Sequence, residues 1–267
     1  MNEALQDRLP YAGEPLVSDE SYLRRVPVAL APKERMRFDA IVTCADIITQ
    51  AFHGLRHFTA EAGVDLEQLG NSGRAYALGQ CWTIVDQLHA ARQLLMPGAG
   101  SKAGPITQAF LDSAETATIL RNKMDHLADN LDNLSKLRGS RFPLFGSLSY
   151  FYSPEATSEN GHIVTIMSGA LHGDDLMPCV NPFDKQFTLP TGLFTLWAFG
   201  HELDFGRAIG PFRDWLAHLG GKLEGDIRGR LAEQGATDDQ VEAAMATLGG
   251  GVAFYLELEI IDEGAAE

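Results

Sequence analysis

The amino-acid sequence predicts an α+β protein: an N-terminal antiparallel helix bundle, followed by a smaller antiparallel β-sheet with an amphipathic helix. Three observations carry this expectation. Apolar residues of the first half recur at alternating gaps of three and four in three successive runs. After Gly139 the runs become short and rich in β-branched and aromatic residues. The charge divides at the same place: residues 142–267 hold 6 basic and 19 acidic side chains, against 10 and 11 in residues 36–141 and 5 and 6 in residues 1–35. The 267 residues suffice for one large domain or two ordinary ones. The expected division is an extended arm over 1–33, a helical bundle over 34–140 and an acidic α+β region over 141–267.

The arm contains Pro10, Pro15, Pro27 and Pro32 without sustained periodicity, and is expected to lie against the body or a partner. The first helix begins near Pro32 or Lys33, and Phe38, Ile41, Ala45, Ile48, Phe52 and Leu55 form its apolar stripe. It ends near Ala62-Gly63. Asn71-Ser72 caps the second, whose stripe is Ala77, Cys81, Ile84, Leu88, Ala91 and Leu95, with Pro97-Gly98 as its stop. Pro105 suits a first helical position. From there Ile106, Phe110, Ser113, Ala117, Leu120, Met124, Leu127, Leu131 and Leu134 predict one continuous helix, the longest of the chain. Three such helices with short connections pack as an antiparallel bundle.

Beyond the bundle, Ser147 to Ser153 and His162 to Ser168 read as strands around an Asn160-Gly161 turn. Leu193 to Phe199 and Glu202 to Ile209 read as a second pair around Gly200. Pro211 is expected to open the amphipathic helix, with Phe212, Trp215, Leu216, Leu219 and Leu223 on one side. Val252 to Ile261 fits a strand or a helix.

Several functions find no motif here. The sequence has no Walker loop, no Gly-x-Gly-x-x-Gly, no Gly-x-Ser-x-Gly and no Cys-x-x-Cys, and Gly249-Gly250-Gly251 precedes a strand-like run rather than a helix. No apolar run reaches the roughly 18 to 20 residues that span a bilayer, and the first residues do not read as a secretory signal. Cys44, Cys81 and Cys179 are odd in number and widely spread, which suits a reducing compartment and small buried side chains. The cytoplasm is the expected location. A net charge of -15 disfavours general nucleic-acid binding, although the first half is nearly neutral.

Three constellations carry chemistry. His53 and His57 have the spacing that lets two imidazoles share a metal, but Gly54 stands where a metalloprotease needs Glu and no third ligand is near. They read as surface or partly buried histidines, and neither metal nor cofactor is expected. Trp82, Asp86 and His89 fall on a second stripe of the second helix, where Asp86 and His89 share a face and can hold a basic group from a neighbour. Their bland alternative is a solvated face with an ion pair at i,i+3.

The third constellation is Arg121-Asn122-Lys123-Met124-Asp125-His126. Arg213-Asp214-Trp215-Leu216-Ala217-His218 repeats its Arg-x4-His spacing in the acidic half. Structural roles are available to both residues of the first, Arg121 paired with Asp125 and His126 bonded to Asn122. Five residues at about 100° each set Arg121 and His126 roughly 140° apart on the helix, so that a bend or a second copy of the chain must bring them to one ligand.

With Arg121-Asn122-x3-His126 on a late helix of a bundle, the chain resembles the HEPN superfamily over residues 34–137. The resemblance implies a helical bundle, dimerisation through the helical half, and a cleft lined by both motifs. Asp86, on the preceding helix, stands where such domains often carry a polar partner for the motif. Many members are metal-independent endoribonucleases of toxin and defence systems. In that role His126 would serve as acid or base at a ribose 2′-OH, Arg121 and Asn122 would complete the motif, and Arg121 would stabilise the phosphorane. Cleavage would leave a 2′,3′-cyclic phosphate. Other members are non-catalytic binding or regulatory modules, in which the same residues order the helix and the dimer seam. Both readings stand at this point, with RNA the expected partner of the first.

Overall fold

A computed structural model describes residues 14–27, 30–64, 70–95, 103–135, 144–152, 161–167 and 193–246. Pro97-Gly98, Ser153, Asn160, Ser168, Cys179, Gly249-Gly250-Gly251 and the run from Val252 to Ile261 lie outside these residues.

Helix α1 runs from Pro32 to Ala62 with proline in its first turn, where the missing N–H costs nothing, and Gly63 caps its end. Ile41, Ala45, Ile48, Phe52 and Leu55 are buried, as their spacing predicts. Helix α2 spans Gly70–Leu95 and buries Ala77, Cys81, Ile84, Leu88 and Ala91. The two pack side by side over most of their lengths. Cys44 and Cys81 are buried free thiols, and burial pushes both thiols up from their ordinary value.

The third expected helix is not continuous. It divides into α3 (Pro105–Ser113), α4 (Glu115–Asp125) and α5 (Leu127–Ser135), interrupted at Ala114 and His126. Ala114 has φ -89° and ψ 1°, and the Ser113 hydroxyl donates to the carbonyls of Phe110 and Ala208 at 3.0 and 3.3 Å. A side-chain hydroxyl that takes a helix carbonyl lets the chain bend with little loss of hydrogen bonding. His126 leaves the helix at φ -103°, ψ 38°. The bends change which side faces the core: Phe110, Ala117 and Leu120 are fully buried, while Ile106 and Leu131 are 41% and 51% exposed. Among the described residues the longest helix is therefore α1, and Arg121 lies on a segment of 11 residues.

Strands β1 (Ser147–Tyr152), β2 (His162–Met167), β3 (Phe194–Ala198) and β4 (His201–Asp204) form one antiparallel sheet in the order β2-β1-β3-β4. Residues directly opposite share a face. Leu148 with Leu196, Tyr150 with Phe194 and Leu196 with Leu203 make the face that joins the core. The β3–β4 hairpin turns on Phe199 and Gly200, both at positive φ (52° and 81°). Glycine takes that conformation without strain and phenylalanine does not. Phe199 is held there by burial and an edge contact with Trp82, ring centroids 6.3 Å apart.

The fourth strand is shorter than expected. It ends at Asp204, whose carboxylate accepts from the Arg207 amide and caps helix α6, Phe205–Glu233. Pro211 lies inside α6 rather than at its start, because this cap nucleates the helix before the proline is reached. Among the described residues a further helix, α7, spans Asp238–Ala246. Phe212 and Trp215 of α6 stack with Phe110 of α3, at centroid distances of 4.7 and 5.9 Å. One hydrophobic cluster runs from α1 through the sheet to α6.

The arm packs on the body over its described residues. Leu16, Val17 and Leu23 are buried, and the Arg24 guanidinium donates to both oxygens of Asp46 on α1 at 2.8 and 2.6 Å. Tyr150 extends the other main tie, donating its hydroxyl to the Gly63 carbonyl at 2.7 Å. Its burial and the neighbouring Tyr152 push this phenol up to about 12.

Candidate functional site

Helical spacing builds one wall of the site. Arg74, Leu78, Trp82 and Asp86 recur every fourth residue on α2 and so lie on one side of it. Arg121 and Met124 of α4 face them, and Phe145 and Met167 close the cleft from the sheet side, around a volume of about 880 Å³. Phe145 is set by the residue after it. Gly146 has φ 82°, and a Cβ there would stand 2.3 Å from the Trp197 carbonyl oxygen, so only glycine fits. The Phe145 carbonyl accepts the Trp82 indole N–H at 3.0 Å.

Arg121 is the centre of the polar end. Its Nε forms an ion pair with Asp86 Oδ1 at 2.9 Å, and Nη1 donates to Asp125 on the same helix. The Asp125 pairing is the i,i+4 contact that the sequence offers, whereas the Asp86 pairing crosses between helices. Burial raises the Asp86 carboxyl above its ordinary value, opposed by Arg121, while Asp125 raises it further. His89 does not pair with Asp86. Its Nδ1 lies 3.3 Å from the Thr118 hydroxyl of α4. Burial, then Arg121, hold His89 below the usual imidazole value, with Asp125 and Asp86 opposing. The second stripe of α2 thus meets α4 through Asp86 and His89, while Asp86 itself stays exposed.

Asn122 and His126 are exposed and stand outside the cleft lining. The His126 side chain is 74% exposed, with its Nδ1 3.9 Å from Asp129. Within one chain Arg121 and His126 do not converge, as their angular separation requires. His53 and His57 are exposed on α1, and His57 approaches Glu61 at 3.6 Å. Among the described residues no three His, Cys, Asp or Glu side chains group closely enough to hold a metal ion. A basic groove around Arg121 would draw on Lys123, Lys136, Arg138 and Arg141; Lys123 is exposed on α4, and the other three lie outside the described residues.

Sequence reasoning missed Asn71, Arg74, Met124, Phe145 and Met167 as cleft residues. The fourfold spacing from Arg74 to Asp86 was a readable sign of the first wall; Phe145 and Met167 reach the cleft only through the tertiary fold. His201 of β4 was also missed. Burial and Lys123 of α4 hold its imidazole below the ordinary value.

No family model matches the chain, and no solved structure does. The chain is 26% identical over 145 residues to the shikimate dehydrogenase (NADP(+)) of Nitrosospira multiformis. That similarity covers 54% of this chain and 46% of the enzyme, so the chain spans about half the length of the curated relative it matches. No helix among the described residues is long and apolar enough to cross a membrane.

Proposed function

We propose that the protein is a HEPN-like module that works by binding rather than by cutting RNA. The observation that carries this reading is the state of Arg121, whose guanidinium already faces Asp86 and Asp125. An arginine that stabilises a phosphorane must offer charge to the developing oxyanion. Here two carboxylates compete for that charge, and a phosphate would approach both of them. His126, the acid–base residue of the cleaving alternative, projects away from the cleft and would need a second copy of the chain to meet Arg121. The net charge of -15 adds a repulsive field against any polyanion.

The dehydrogenase likeness supports no dinucleotide-binding reading. Gly98-Ala99-Gly100-Ser101-Lys102-Ala103 has the relaxed glycine spacing of a pyrophosphate turn. Such a turn follows a strand and opens a helix, whereas this one follows α2. The described sheet is antiparallel throughout, unlike the parallel sheet of that fold.

The test is incubation of the purified full chain with structured and single-stranded RNA in the presence of EDTA. We expect intact RNA after hours at micromolar protein. Cleavage to 2′,3′-cyclic phosphate ends, lost in both Arg121→Ala and His126→Ala, would overturn the binding reading. It would instead establish the dimeric ribonuclease.

A further inference from the structure

The cleft beside α2 offers more than a place for Arg121. Arg74 and Asp86 stand twelve residues apart on the helix, about 18 Å at 1.5 Å per residue. The volume of about 880 Å³ lies within the roughly 300–1,000 Å³ of small-molecule sites. Between the polar ends the lining is apolar, with Leu78, Trp82, Met124, Phe145 and Met167. The middle is open, since a Cβ at Gly79 would meet nothing within 4 Å. Trp82 is fixed before any ligand arrives, by its bond to Phe145 and its contact with Phe199. A wall already in place spares a ligand the cost of ordering it.

The two cations of the cleft differ in what they can receive. Arg121 is matched by Asp86 and Asp125, while Arg74 meets no carboxylate among the described residues. An anionic group is therefore favoured at Arg74 and disfavoured at the other end, where it would approach Asp86. Overall acidity limits the charge of that anion, because repulsion from the chain grows with each negative charge the ligand carries and is smallest for a singly charged one.

We propose that this cleft binds a small amphipathic organic acid, its acid group at Arg74 and its apolar, flat body on Leu78, Trp82 and Met124. The assignment rests on the binding reading above and fails separately from it, because RNA cleavage and small-molecule binding are measured independently.

Two probes share one body: 1-anilinonaphthalene-8-sulfonate, which is anionic, and N-phenyl-1-naphthylamine, which is not. Titrated into the full chain and followed by fluorescence, the sulfonate should saturate one site and bind more tightly than the amine. Arg74→Gln should weaken the sulfonate about tenfold or more, the scale of one lost hydrogen bond to a charged group, and leave the amine unchanged. Gly79→Phe should abolish both, because it fills the open middle of the cleft. Its melting temperature should hold, since a Cβ there meets nothing within 4 Å and glycine is a poor helix residue. Loss through Arg121→Gln but not Arg74→Gln would overturn the assignment of the acid group. Sulfonate binding that survives Gly79→Phe would overturn the site, and so would weak binding that never saturates.

Discussion

Two segments of this chain carry the same pattern and live in different surroundings. Arg121-Asn122-x3-His126 and Arg213-Asp214-x3-His218 have identical spacing, and each Arg lies on a helix with a buried apolar side. Arg213 donates to its neighbour Asp214 at 3.0 and 3.1 Å on an exposed surface. Arg121 reaches across to Asp86 of another helix and lines a cleft. Arg-x4-His alone does not define a site. The concavity beside Arg121 sets the first segment apart.

The comparison is sharpened first by the apolar sides of the two helices, where the effects should be largest. Phe212→Ala removes a fully buried ring from the stack with Phe110 and Trp215, and should cost about 3–5 kcal/mol. Leu120→Ala should cost about 2–5 kcal/mol by the same reasoning. Urea unfolding measures both. A loss below about 0.5 kcal/mol for Leu120→Ala would mean that α4 does not belong to the core as α6 does.

Smaller effects belong to the arginines themselves. Arg121→Ala should destabilise by up to about 1 kcal/mol, since its partners are half-exposed. Arg213→Ala should stay within about 0.5 kcal/mol of the parent. Equal losses would erase the distinction drawn between the two segments.

The smallest effect is a slope. His89 titrates below its ordinary 6.5 in the folded chain, through burial and then Arg121, so the unfolded chain binds its proton more readily. The stability tied to neutral His89 is present above pH 6.5 and is lost as pH falls through the folded value. Asp86 works in the opposite sense in a more acidic window. Its raised carboxyl contributes stability that is complete below 3.8 and disappears as pH rises through the folded value. His89→Gln should flatten the dependence of melting temperature on pH just below 6.5, leaving the portion due to His201. An unchanged slope would place His89 in open solvent.

Periodicity made much of the fold legible. The α1 and α2 stripes, the strands from Ser147, His162 and Phe194, and the Gly200 hairpin all follow from residue spacing. The breaks at Ala114 and His126 did not, because an apolar stripe records which side faces inward and is silent about a bend. The start of α6 was hidden for a similar reason: Pro211 is a familiar opening residue, whereas the cap at Asp204 depends on where the strand before it ends. Of the site, Trp82, Asp86 and His89 were visible as a second stripe. Arg74 continues that stripe, while the pairing of Asp86 with Arg121 required two helices to meet.

The bond from Tyr150 to the Gly63 carbonyl has a consequence for the order of folding. It joins residues 87 apart in the chain, whereas α1 and α2 are neighbours that meet through a short connection. Loop-closure entropy rises with the length of chain to be closed, so contacts between adjacent helices form before those that bring in a distant strand. The helical pair is thus the natural early structure, and the tyrosine completes a ring around chain already in place. The cleft, which needs Phe145 and Met167 from the sheet side, exists only after that late closure. Its opening and disappearance should follow the sheet's kinetics rather than those of the helices that supply most of its lining.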